Sequence, residues 1–164
     1  MKKILLIAAG ALLILAACGP APDFVTANGV RFYVQGRVFT LRQANDLEGW
    51  FTSVMERFGI SAALLHSYLD GVTVYLWPYP MPHCDPTAVV DDRGDGDEHC
   101  ANGYYKGGEI HLAIWTCGYD SAYPHELLHR VLERHFGDMD RVHGRADLWS
   151  AVRNAMNPFL LKCA

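Results

Sequence analysis

His125-Glu126-Leu127-Leu128-His129 matches HExxH, a pattern of residue types with a specific chemical use. At about 100° per residue, helix positions four apart fall within roughly 40° of each other, so both imidazoles leave one face and can share an ion. Neutral imidazole suits zinc, and zinc with an open fourth position lowers the pKa of a bound water to about 7. Glu126 stands between the two ligands without being one. It is placed to take that water's proton and hand it to a leaving group. The chemistry these five residues could perform is metal-assisted hydrolysis.

The flanking sequence supplies elements able to position them. Asp120 or Ser121 can cap a helix start, Pro124 fits a first turn, and Leu127, Leu128, Val131 and Leu132 form an apolar face. The turn formers Gly137-Asp138-Met139-Asp140 should end this helix near Phe136. Upstream, Glu109 to Trp115 alternates. Ile110, Leu112 and Ile114 share one face and Glu109, His111, Ala113 and Trp115 the other, the pattern of a half-buried strand.

From about Gly108 to Trp149, the order strand, short loop, HExxH helix resembles the active-site half of a zincin-type metallopeptidase, in the compact form of small exported bacterial zincin-like lipoproteins. The resemblance covers about a quarter of the chain, and HExxH is its sharp motif. It implies an α+β fold, with a small mixed or antiparallel sheet packed on the HExxH helix and on other helices. It also implies a Zn2+ cofactor, Glu126 as the catalytic base, and a peptide or protein substrate. Two positions depart from the family pattern. Arg130 follows the second histidine where zincin helices usually carry an uncharged residue, and Leu132 stands where a metzincin would have glycine.

The second departure bears on the third ligand, because a catalytic zinc normally has three protein ligands plus water. His135 has the metzincin spacing, but on a helix continuing through Leu132 it points about 80° or more away from the ligand face. His143 follows the turn formers and can fold back from a loop. Asp147 is the gluzincin-like option, a carboxylate on the next helix. The spacing favours His143, with Asp147 and His135 as alternatives. Asp138 or Asp140 can accept a hydrogen bond from a ligand histidine. Tyr119, Tyr123, His111 and Arg141 are available to stabilise an oxyanion, and nothing in their spacing selects among them.

Lys2 and Lys3 precede an apolar run from Ile4 to Leu15, and Leu15-Ala16-Ala17-Cys18-Gly19 looks like a bacterial lipoprotein signal with its lipobox. Residues 1–17 are then a signal peptide, Cys18 the lipidated first residue, 18–28 a tether, and 29–164 the zincin-like domain. The expected location is the bacterial cell envelope, on the outer membrane in a Gram-negative host. Export leaves Cys84, Cys100, Cys117 and Cys163 in an oxidising compartment, where two disulfides are expected. Of the three possible pairings, Cys84–Cys100 with Cys117–Cys163 is the favoured one. A second zinc site at His83-Cys84 and His99-Cys100 is the competing use of two of them.

The processed chain of 147 residues is long enough for one real core, and its net charge of −6 offers no basic footprint for nucleic acid. Val30 to Phe39 should form a strand or hairpin with Gly36 near its turn, and Leu41 to Phe58 a helix ended by Gly59. Ser61 to Leu69 fits a short helix, Val72 to Trp77 a strand paired with Glu109–Trp115, and Asp147 to Met156 a last helix. His83 to Gly108 should be a long loop. Its acidic stretch Asp91–Glu98 matches a calcium loop poorly, with Arg93 and Asn102 at positions that call for other ligands.

Two functional classes follow. One is a lipid-anchored zinc peptidase; the other is a non-catalytic zinc-binding envelope lipoprotein that works by engaging a partner. Glu126 favours the first, since a purely structural site has no need of it.

Overall fold

The computed structural model describes residues 20–35, 39–78, 103–114, 119–140 and 143–156. Their strands form one mixed sheet in the order β1-β2-β3-β5-β4: β1 Phe24–Val25, β2 Arg31–Tyr33, β3 Thr73–Pro78, β4 Gly103–Lys106 and β5 Glu109–Ile114. β2, β3 and β5 run parallel, while β1 and β4 are antiparallel edges. The helices are α1 Leu41–Arg57, α2 Ala62–Leu69, α3 Tyr119–Phe136 and α4 Ala146–Met156. This is the expected α+β architecture with a mixed sheet.

Local chemistry sets the helix ends. The Thr40 side chain accepts from Gln43 N while Gln43 reaches back to Thr40 N, a capping box that starts α1. Ser61 caps α2 by accepting from Leu64 N. α3 starts at Tyr119, earlier than its capping signals imply, so Pro124 lies inside it and removes one internal hydrogen bond. It ends at Phe136, with Gly137 at φ +74, a left-handed conformation that glycine adopts without Cβ strain.

Alternation along the strands turns Phe32, Val74, Leu76, Ile110 and Leu112 into one core, where they join Leu47, Phe51 and Met55 of α1 and Leu127, Leu128, Val131 and Leu132 of α3. α3 packs across β4 and β5 and against α2 and α4, so the HExxH helix lies at the centre of the helix layer.

Two expectations need correction. The expected tether to residue 28 is already folded at Phe24, whose ring stacks on Phe32 at 4.7 Å, and Thr26 is buried. The Asp23 carboxylate accepts from Val34 N and Asp23 N donates to Phe32 O, fixing this edge. The expected loop from His83 to Gly108 contains β4, which pairs with β5 from Gly103↔Leu112 to Lys106↔Glu109 across a two-residue turn at Gly107-Gly108. Gly36, Cys18, Cys84, Cys100, Cys117, Cys163, the His-Cys pairs and the acidic stretch at 91–98 lie outside the described residues.

Candidate metal centre

α3 presents His125 and His129 from consecutive turns, as HExxH spacing requires. His143 arrives from the loop between α3 and α4. The ring centroids form a nearly equilateral triangle, 5.1, 5.1 and 5.2 Å on its sides. One nitrogen from each ring lies within 4.8 Å of the other two, and His125 Nε2 is 3.3 Å from His143 Nε2. Two nitrogens bound tetrahedrally to one zinc at ordinary bond lengths stand about 3.3 Å apart, so this spacing fits a shared ion.

The protonation states suit the same use. Burial, then the neighbouring His129, His143 and Arg153, push His125 down to about 3, leaving a neutral imidazole. Burial also lowers His143, with Arg153 adding to the effect and Asp140 opposing it. His129 Nδ1 lies 2.7 Å from the Met139 carbonyl oxygen, to which it donates, so its proton sits on Nδ1 and Nε2 is the nitrogen a shared metal would use.

Glu126 is 4% exposed, and burial raises its carboxyl to about 8. A divalent cation at the adjoining triad would favour its carboxylate form. β4 passes directly over it. A Cβ built on Gly103 would lie 2.6 Å from Leu112 Cδ2, 2.9 Å from His111 O and 3.5 Å from Glu126 Cγ, so only glycine lets the edge strand come this close.

The loop that delivers His143 is organised by one carboxylate. Asp140, 7% exposed, accepts from Gly144 N at 2.8 Å, Arg145 N at 2.9 Å and Trp149 Nε1 at 2.9 Å. Burial works to raise its pKa, but these three hydrogen bonds and the Arg145 charge outweigh it and hold the carboxyl below its ordinary value. Both Asp140 and His143 have positive φ, 52° and 53°, a strained conformation for non-glycine residues that the surrounding bonds hold in place. Trp149, steered by its bond to Asp140, packs its ring against His143, His125 and His129 at 4.3, 4.7 and 4.7 Å.

The structure therefore brings His125, His129 and His143 together and leaves the alternatives elsewhere. His135 Nδ1 pairs with Tyr68 OH at 3.0 Å, and Asp147 occupies the exposed first turn of α4. The acceptor beside His129, one of the candidate ligands, is the Met139 carbonyl, while Asp140 serves the loop and Trp149. Arg130 turns from the site and donates to Tyr68 O, Tyr105 OH and Glu133. Two of the four residues available for an oxyanion are committed to other partners. The buried Tyr123 OH donates to Glu48 at 2.6 Å, and His111 accepts from the Trp77 indole on the far side of the sheet. The side chains of Tyr119 and Arg141 lie outside the described residues.

Comparison with protein-family models, with curated proteins and with solved structures finds no match.

Proposed function

We propose that this chain is a zinc-dependent peptidase anchored to the cell envelope through Cys18, with His125, His129 and His143 as metal ligands and Glu126 as general base. One observation carries the reading: the imidazoles of His125, His129 and His143 converge to metal-binding distance, and Glu126, between the first two in sequence, is a buried carboxyl outside the triad. Zinc, if held by His125, His129 and His143, would polarise a carbonyl and acidify a water.

The protein's own residues divide the remaining work. Glu126 accepts the proton of the attacking water on a carboxylate oxygen while the water oxygen bonds to the scissile carbon. As the C–N bond breaks, the same proton passes to the departing amine nitrogen. Met139 O fixes the His129 tautomer, and Trp149 forms an apolar wall that keeps bulk water from the backs of the ligand rings. Gly103 lets β4, an edge strand among the described residues, run close past Glu126.

The test compares the wild type with Glu126→Gln for bound zinc and for cleavage of an unbiased peptide library. Retained zinc with loss of cleavage is the expected result. A fully zinc-loaded wild type that cleaves nothing would support the binding-module reading instead.

A further inference from the structure

The sheet face turned away from the helices carries an aromatic ladder. Tyr33, Tyr75, His111 and Tyr104 are successive cross-strand partners on β2, β3, β5 and β4. Their rings stack with centroid separations of 5.2, 4.9 and 4.6 Å. Trp77 extends the ladder, lying within 3° of parallel to His111 and donating its indole N–H to His111 Nδ1 at 2.9 Å. All five side chains are partly exposed, whereas the buried side chains of the described helices belong to the core on the opposite face. The next rung, Arg31, Thr73, Glu109 and Lys106, mixes both signs of charge.

The chain itself indicates what this face meets. Tyr33 OH, at the end of the ladder, donates to the Pro20 carbonyl at 3.1 Å. Pro20 is two residues from Cys18, so a lipid on Cys18 is tied within about 7 Å of chain length from that contact. Tyrosine and tryptophan, with apolar rings and polar tips, settle at membrane–water interfaces. A net charge of −6 on the processed chain gives no general attraction to an anionic surface, which leaves the aromatic rings as the contact chemistry.

We propose that the Tyr33–Tyr75–His111–Tyr104 face, with Trp77, rests on the phospholipid surface to which Cys18 is anchored. This rests on the lipoprotein reading of Cys18. The sheet then lies between the bilayer and the helix layer, and the histidine triad serves substrates in the aqueous space above the membrane.

Tryptophan quenching tests it on the full chain, processed in a bacterial host and reconstituted into phosphatidylcholine vesicles with or without brominated acyl chains. Mass spectrometry reports the lipid on Cys18. The chain has four tryptophans, so Trp77→Phe isolates the one on the ladder. The expected result is quenching of the wild type by the brominated chains that mostly disappears in Trp77→Phe, with lipid and bound zinc unchanged. Lipidated wild type that is not quenched, or quenching that survives undiminished in Trp77→Phe, overturns the docking and leaves the anchor standing. An unmodified Cys18 overturns the anchor and the docking together.

Discussion

Replacing Asp140 by asparagine should weaken metal binding without touching a ligand. Oδ2 of Asp140 accepts from both Arg145 N and Trp149 Nε1, and Oδ1 accepts from Gly144 N. An asparagine that keeps its oxygen at the shared position retains two of these bonds but turns an NH2 group against the Gly144 N–H. One charge-assisted bond is lost and a buried donor faces another donor, a cost of about 2–3 kcal/mol. The strained residues Asp140 and His143 then lose part of what holds them at positive φ, and His143 swings more freely. Loss of a partner that orients a metal site typically lowers affinity about 10–100-fold, which matches that energy. The assay is zinc competition against a chromogenic chelator at neutral pH, with circular dichroism to confirm the fold. Asp138→Asn is the control, because Asp138 is exposed and, among the described residues, accepts from Asp140 N. Its affinity should stay within about threefold of wild type, since asparagine keeps an oxygen that can accept from Asp140 N and what is lost at this exposed residue costs under about 1 kcal/mol. Equal affinities for wild type and Asp140→Asn in folded protein would refute the reasoning.

Other perturbations probe different parts of the site. Gly103→Ala forces a methyl group against the His111 carbonyl and Leu112, so urea unfolding should show about 1–3 kcal/mol of destabilisation; an unchanged midpoint would deny the close approach. Glu126, raised from 4.5 to about 8, keeps its proton when folded while the unfolded chain has released it, so metal-free wild type should lose stability as pH rises from about 4.5 to 8. Glu126→Gln removes that loss. Thermal melts of metal-free protein should place the variant above wild type at pH 8 and close to it at pH 4.5, and parallel profiles would count against the burial argument.

The parts of this fold legible in sequence are those encoded locally. Thr40 with Gln43, Ser61 and Gly137 mark helix ends through backbone chemistry, and the alternation of Glu109 to Trp115 marks a strand. β4 is harder to see because Gly103-Tyr104-Tyr105-Lys106 has no hydrophobic alternation, although the Gly-Gly turn before an alternating strand is a hairpin signal. β1 has two residues, too few for any period, and is defined by Phe24 stacking on Phe32. At the site, helical periodicity alone aligns His125 with His129, and the turn formers after Phe136 make room for His143 to return. Nothing local signals that Trp149 closes on all three rings, that Asp140 steers it, or that Gly103 crosses Glu126. The contacts of Trp149 with His125 and His129, and of Gly103 with Glu126, join residues more than fifteen positions apart and exist only once the sheet and helices pack.

X-ray absorption spectroscopy of the purified chain, paired with metal analysis of wild type, His143→Ala and His135→Ala, tests the central claim most directly. The expected result is one zinc per chain bound by three imidazole nitrogens at about 2.0–2.1 Å with a further light-atom ligand from water. Zinc occupancy should fall in His143→Ala and hold in His135→Ala. A sulfur shell, a fourth protein ligand that closes the site, or zinc retained equally in His143→Ala would contradict it.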